Sequence, residues 1–248
     1  LQDPAKRSVW LLRALLVYSE VDKKKFTRPF QSFKLKGLRP SWVIEYDGSL
    51  DGIGIIWFEV SAADVETAVG CASIDIGFLE LRKWADAHGL QASGYQNTIE
   101  FLASFIGMRE LSRRGVHDVN ITVRGDSKSA LAWAEKDSFR SDNVGNASMA
   151  YVVQRWQSGI EIGLREHLSH GLTYDWNWRC DWLSRGRTRE EILTEDAKDP
   201  NGRRLAEDMV TWDIDRGTEI LELCTPTRTL GTQKEFHEWW KRLFTLLF

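Results

Sequence analysis

The sequence predicts an α/β domain built on a mixed sheet with helices on its faces. Two observations carry this. Three β-rich stretches joined by short turns open the central region between Ser41 and Ile76, and helical and strand patterns then alternate as far as Arg185. A meander followed by βα units sets antiparallel strands beside parallel ones and covers the sheet with helices. The chain has 248 residues, 42% hydrophobic and 28% charged, which suits one folded domain plus extensions and argues against disorder.

The pattern divides the chain into residues 1–40, 41–188 and 189–248. In the first part, Ala5 to Tyr18 is amphipathic and reads as a helix. Its apolar run is too short for a membrane span of about 20 residues and lacks a signal-peptide cleavage site. From Lys23 to Arg39 there are seven bases and no acid. This connector is either a solvated linker or an arm that contacts phosphates. An opening Leu1 rather than Met suggests a piece of a larger polypeptide.

In the central part, Ser41 to Tyr46 is a β-branched, apolar strand, and Gly52 to Val60 is the next. The segment Gly48-Ser49-Leu50-Asp51-Gly52 between them has hairpin chemistry. A third strand lies within Ala68 to Ile76, and Leu79 to His88 is a short helix or an insertion. Asn97 to Arg114 is an amphipathic helix stopped by Gly115. Val116 to Val123 is a strand, Ser127 to Glu135 and Asn143 to Trp156 are helices, Ile160 to His167 is a strand, and Cys180 to Arg185 starts a last short helix. The count is a five-stranded sheet: three antiparallel strands, then parallel βα units. The last part is acidic between Glu190 and Glu222 and ends in an aromatic helix, Phe236 to Phe248.

Charge and cysteines narrow the function classes. A net charge of −3 excludes a uniformly basic nucleic-acid coat but not a local basic patch. Three cysteines without CxxC spacing argue against a disulfide scaffold or thiolate zinc site and point to a reducing, intracellular compartment rather than secretion. The chain carries no phosphate loop, dinucleotide fingerprint, GxSxG or HExxH.

Four carboxylates sit at element ends. Asp47 ends the first strand, Glu100 lies in the first turn of the long helix, Asp126 follows the fourth strand, and Asp181 opens the last helix. Each has a purely structural reading: turn chemistry for Asp47, a capping box for Glu100, an N-cap for Asp126, and a dipole-favoured position for Asp181. Jointly they say more. With the first and fourth strands adjacent and parallel, their ends and the start of the long helix converge. Clustered carboxylates repel unless cations are bound, and an all-oxygen set suits Mg²⁺ or Mn²⁺. Two such ions about 3.5–4 Å apart suit phosphodiester cleavage.

Tyr46-Asp47-Gly48-Ser49, Gln96-Asn97-Thr98-Ile99-Glu100, Gly125-Asp126-Ser127 and Asn177-Trp178-Arg179-Cys180-Asp181 resemble the four motifs of type 1 ribonuclease H. The ending Cys180-Asp181-Trp182-Leu183-Ser184-Arg185 is similar to that of RNase H domains fused to retrotransposon reverse transcriptases. The resemblance covers residues 41–188. It implies an RNase H-like fold and hydrolysis of the RNA strand of RNA–DNA hybrids, leaving 5′-phosphate ends. It implies two Mg²⁺ ions, replaceable by Mn²⁺, on Asp47, Glu100, Asp126 and Asp181. It places Gly48, Ser49, Gln96, Asn97 and Ser127 against substrate, with Gln96 and Asn97 reading the 2′-hydroxyl. A histidine assisting proton transfer is His170 or His167, His170 being farther into the loop. The partners implied are the hybrid and an attached or associated reverse transcriptase domain, and no membrane.

Two departures stand out. The hairpin loop after Asp47 lacks a phosphate-binding asparagine, and Lys136 to Asp142 is too short for a basic protrusion. Substrate affinity is then expected to come from the Lys23–Arg39 arm or the polymerase domain. Trp176, Trp178 and Trp182, around the last aspartate, read mainly as packing. The alternatives are an RNase H-like DNA nuclease or transposase, and an inactive connection-like module that binds hybrid.

Overall fold

The computed structural model describes residues 40–76, 83, 95–135, 151, 155, 158–168, 176–200 and 205–214. The proposed N-terminal helix, the Lys23–Arg39 arm, the Leu79–His88 and Asn143–Trp156 helices as units, and the aromatic C-terminal helix lie outside these residues.

The elements are β1 (Trp42–Gly48), β2 (Gly52–Val60), β3 (Glu66–Asp75), α1 (Gln96–Arg113), β4 (Asn120–Gly125), α2 (Lys128–Glu135), β5 (Glu161–His167), α3 (Trp178–Ser184), α4 (Arg189–Asp196) and β6 (Val210–Thr211). They form one mixed sheet in the order β5-β4-β1-β2-β3-β6. The β1–β2 and β2–β3 pairs are antiparallel, whereas β1–β4 and β4–β5 are parallel. The sequence predicts five strands. The sixth is a two-residue strand from the acidic C-terminal part, parallel to β3, and too short to carry a periodic signal.

Both sheet faces are covered. Ile44, Tyr46, Ile53, Ile55 and Trp57 face a core shared with α1 and α2. The alternate residues Val43, Ile56 and Phe58 face a second core with Trp178, Cys180, Leu183 and Ile192 from α3 and α4. Alternation along a strand sends successive side chains to opposite faces, so two-sided cover needs apolar residues at both phases. The run Ile53 to Phe58, with one glycine, has that character.

β4 and α1 differ from the sequence reading. β4 begins at Asn120 rather than Val116, because Val116 N–H bonds back to Leu111 and Asp118 takes a φ of 56° before the strand starts. The long helix is not simply amphipathic: it is buried without a break from Thr98 to Leu111. Phe101 meets Trp133 and Tyr151, which come from other segments. Its charged residues Arg109 and Glu110 survive burial as an ion pair, with Arg113 and Arg114 also on Glu110.

The described residues of the acidic part, 189–200 and 205–214, are built onto the core. Arg179 of α3 bonds Asp196 Oδ1 at 2.5 Å and Asp199 Oδ2 at 2.9 Å, all three buried. Asp196 Oδ2 accepts the Leu205 N–H at 2.7 Å. Beyond β6, Trp212 stacks on Trp57 with ring centroids 4.1 Å apart. The Arg179 contacts brace α3, which bears on the site described next.

Candidate metal centre

Asp47, Glu100 and Asp126 come together at the carboxyl end of β1 and β4. Each offers an oxygen, and these three oxygens lie within 4.8 Å of one another. Three elements deliver them: the end of β1, the first turn of α1, and the residue after β4. Parallel pairing of β1 with β4, running from Trp42–Ile121 to Glu45–Arg124, sets Asp47 and Asp126 at the same end of the sheet.

Two glycines allow the close approach. A Cβ on Gly48 would lie 2.7 Å from the Glu100 backbone nitrogen and 2.9 Å from the Ile99 carbonyl carbon. Its absence lets β1 run against the start of α1. Gly54 is the cross-strand partner of Asp47, and a Cβ there would lie 2.1 Å from the Cys180 carbonyl oxygen. α3 therefore lies directly on β2, and its last residue, Ser184, reaches Asp47.

The purely structural roles open to these carboxylates are taken by other groups. Ser49, not Asp47, makes the turn: its N–H bonds Gly52 O, and its Oγ accepts from Asp51 and Gly52 N–H. The same hydroxyl donates to Ser184 O at 3.1 Å, so Ser49, expected against substrate, is engaged within the fold. α1 starts after Tyr95 with no side-chain cap, so Glu100 closes no capping box. Ser127 Oγ accepts the Ala130 N–H at 3.2 Å, so Ser127 caps α2 instead of Asp126.

Asp47 accepts from Ser184 Oγ at 2.6 Å and from Asn177 Nδ2 at 3.4 Å. Glu100 Oε1 accepts from Gln96 Nε2 at 3.4 Å, and that amide also donates to Gly48 O. Glu100 Oε2 is buried without a hydrogen-bond donor among the described residues. Burial, with the charge of Asp126 and then Asp47, pushes the Glu100 carboxyl up to about 8. Burial likewise pushes Asp47 up to about 7, with Asp126 and Asp181 adding to the rise and the Ser184 hydroxyl opposing it. Three carboxylates, two buried and one half-buried, cannot all ionise cheaply in one place. A divalent cation supplies the missing charge, and the undonated Glu100 oxygen in an all-oxygen set fits Mg²⁺ or Mn²⁺.

Asp181 is outside the tight triad. It lines the same cavity, of about 710 Å³, whose wall also includes Gly48, Ser49, Gln96, Asn97, Ser127, Lys128, His167 and Arg185. His167 Nε2 is 3.0 Å from the Asp126 carbonyl oxygen. His170 lies outside the described residues. Asn97 Oδ1 is 3.5 Å from Ser127 Oγ. Trp178 and Trp182 pack edge to face at 5.3 Å in the second core, while Trp176 is exposed. Sequence reasoning missed Ser184 and Arg185 as partners of the carboxylates. Their signal was the helical spacing from Asp181, three and four residues on.

No family model and no curated protein matches the chain. One similar solved structure is that of LC11-RNase H1, isolated from compost by a metagenomic approach; the two share 14% identity over 62% of this chain and 99% of that one, with a TM-score of 0.39.

Proposed function

We propose that this chain is a divalent-cation-dependent endonuclease that cuts the RNA strand of RNA–DNA hybrids. The observation that carries the proposal is the convergence of Asp47, Glu100 and Asp126 at the strand ends. Asp181, across the cavity, completes the ligand set in this reading. Bound Mg²⁺ or Mn²⁺ would supply a water of lowered pKa and stabilisation of the leaving 3′ oxygen, giving 5′-phosphate products.

The chain's own residues do the rest. Ser184 and Asn177 fix the Asp47 carboxylate, and Gln96 ties Glu100 to β1. Gln96 and Asn97, in the cavity wall, are suited to reading a ribose 2′-hydroxyl, a group DNA lacks. Gly48, Ser49 and Ser127 line the same wall and are assigned to the substrate side. Lys128 and Arg185 add positive charge for phosphate. His167, at the wall beside Asp126, is assigned the proton-transfer role over His170.

In this reading residues 41–188 carry catalysis and residues 189–214 brace α3, while the seven bases from Lys23 to Arg39 add phosphate contacts. The Cys180–Arg185 ending supports a retroelement context with a reverse transcriptase partner. No helix among the described residues is long and apolar enough to cross a membrane.

The test is a gel assay with end-labelled RNA–DNA hybrid, duplex RNA and duplex DNA, each with Mg²⁺ or EDTA. Cutting of the hybrid's RNA strand in Mg²⁺ alone is expected. Preferential cutting of duplex DNA would favour the DNA-nuclease alternative, and binding of hybrid without cutting would favour the inactive module.

A further inference from the structure

The last turn of α3 serves two carboxylates with two consecutive residues. Ser184 turns inward: its Oγ donates to Asp47 Oδ2 at 2.6 Å and to the Asp181 carbonyl oxygen at 2.9 Å. Arg185 turns toward the cavity. Its Nε donates to both Asp181 oxygens, at 3.0 and 3.1 Å, and its Nη2 donates to Oδ1 at 2.8 Å. A guanidinium fork laid on a carboxylate in this way satisfies both oxygens at once.

We infer that Arg185 is a positioning residue that acts through Asp181: it stands in for a divalent cation there, and loading of the Asp181 side of the site requires displacing it. Three observations agree. Asp181 is the one proposed ligand outside the 4.8 Å triad, and a guanidinium holds it. Arg185 lines the same cavity, and its side chain is 59% exposed, so it has room to leave. Its charge also acts on Asp47 in the triad, as a cation between the two would. The cost of displacement is small, because an exposed ion pair is weak. The device therefore sets a threshold without blocking the site: one cation enters the triad, and the second competes with Arg185. This rests on the functional reading above.

The experiment is calorimetric titration of the nucleic-acid-free full chain with Mn²⁺, for the wild type, Arg185→Gln, Arg185→Lys and Asp126→Asn. Two binding steps are expected in the wild type. Arg185→Gln should tighten the weaker step about threefold to fivefold and move the tighter one by less. Arg185→Lys, which keeps charge but loses the fork, should fall between. Asp126→Asn should abolish the tighter step. An unchanged or weakened second step in Arg185→Gln overturns the inference while leaving the nuclease reading intact. Wild-type and Asp126→Asn titrations that are identical, or show no binding, overturn both.

Discussion

The hydroxyl of Ser184 donates to Asp47 Oδ2 at 2.6 Å, joining residues 137 positions apart, and both are buried. This bond favours the ionised form of the carboxylate at the end of β1, opposing burial and two neighbouring negative charges that favour the protonated form. Ser184→Ala leaves that form unsupported, at about 1–3 kcal/mol. The sign with pH follows. The bond lowers the Asp47 pKa, so its loss costs most where Asp47 is charged, above about 7, and least near pH 5. Urea unfolding at pH 5 and pH 8.5 without cations checks this. An equal loss at both values would contradict it.

The triad makes the cation-free protein sensitive to rising pH. Unfolded Asp and Glu titrate near about 4. Folded Asp47 and Glu100 are raised to about 7 and about 8. The folded state thus binds more protons across that window, and this contribution to stability falls as pH rises through it. Asp126→Asn removes one of the charges responsible. In EDTA, the melting temperature of Asp126→Asn relative to wild type should climb between pH 5 and 8.5, and Mg²⁺ should raise the wild type most at the alkaline end. A difference that does not vary with pH would refute the electrostatic account.

Much of this was legible in the sequence, for identifiable reasons. β2 was bounded correctly because its apolar run is closed by Gly52 and Val60. The β1–β4 adjacency followed from the order of strands and helices. The carboxylates stood out because they sit where elements end. Less legible were features set by tertiary contact. The burial of Phe101 in α1 draws on Trp133 and Tyr151, from other segments. The pairing of Arg185 with Asp181 is a contact that spacing permits without requiring. The link from Ser49 to α3 depends on how closely α3 sits on β2.

Tyr46 precedes Asp47, and its hydroxyl is fully buried with no hydrogen-bond partner among the described residues. An unsatisfied buried hydroxyl costs free energy that the fold meets elsewhere. Tyr46→Phe keeps the ring against Gly125 and removes the cost. It should be neutral or stabilising by about 1 kcal/mol in urea unfolding. A loss of more than that would mean the hydroxyl is bonded.

Gly48→Ala tests the close approach of β1 and α1. The new methyl would meet the Glu100 backbone nitrogen at 2.7 Å and its Cα at 2.8 Å, neither of which can rotate away. Destabilisation of about 1–3 kcal/mol is expected from overpacking, together with weaker Mn²⁺ binding as Asp47 and Glu100 separate. Normal stability and cation affinity would show that the approach is not needed.

The central claim is that the Asp47–Glu100–Asp126 triad is the catalytic centre, and Asp126→Asn tests it most directly. The substitution is nearly isosteric and removes one negative ligand. With labelled RNA–DNA hybrid in Mg²⁺, the wild type should cut the RNA strand, and the variant should lose at least about 100-fold in rate. The variant should also melt at the same or a higher temperature in EDTA at pH 8, so that the loss is not one of folding. An Asp126→Asn protein that cuts hybrid at the wild-type rate would contradict the account.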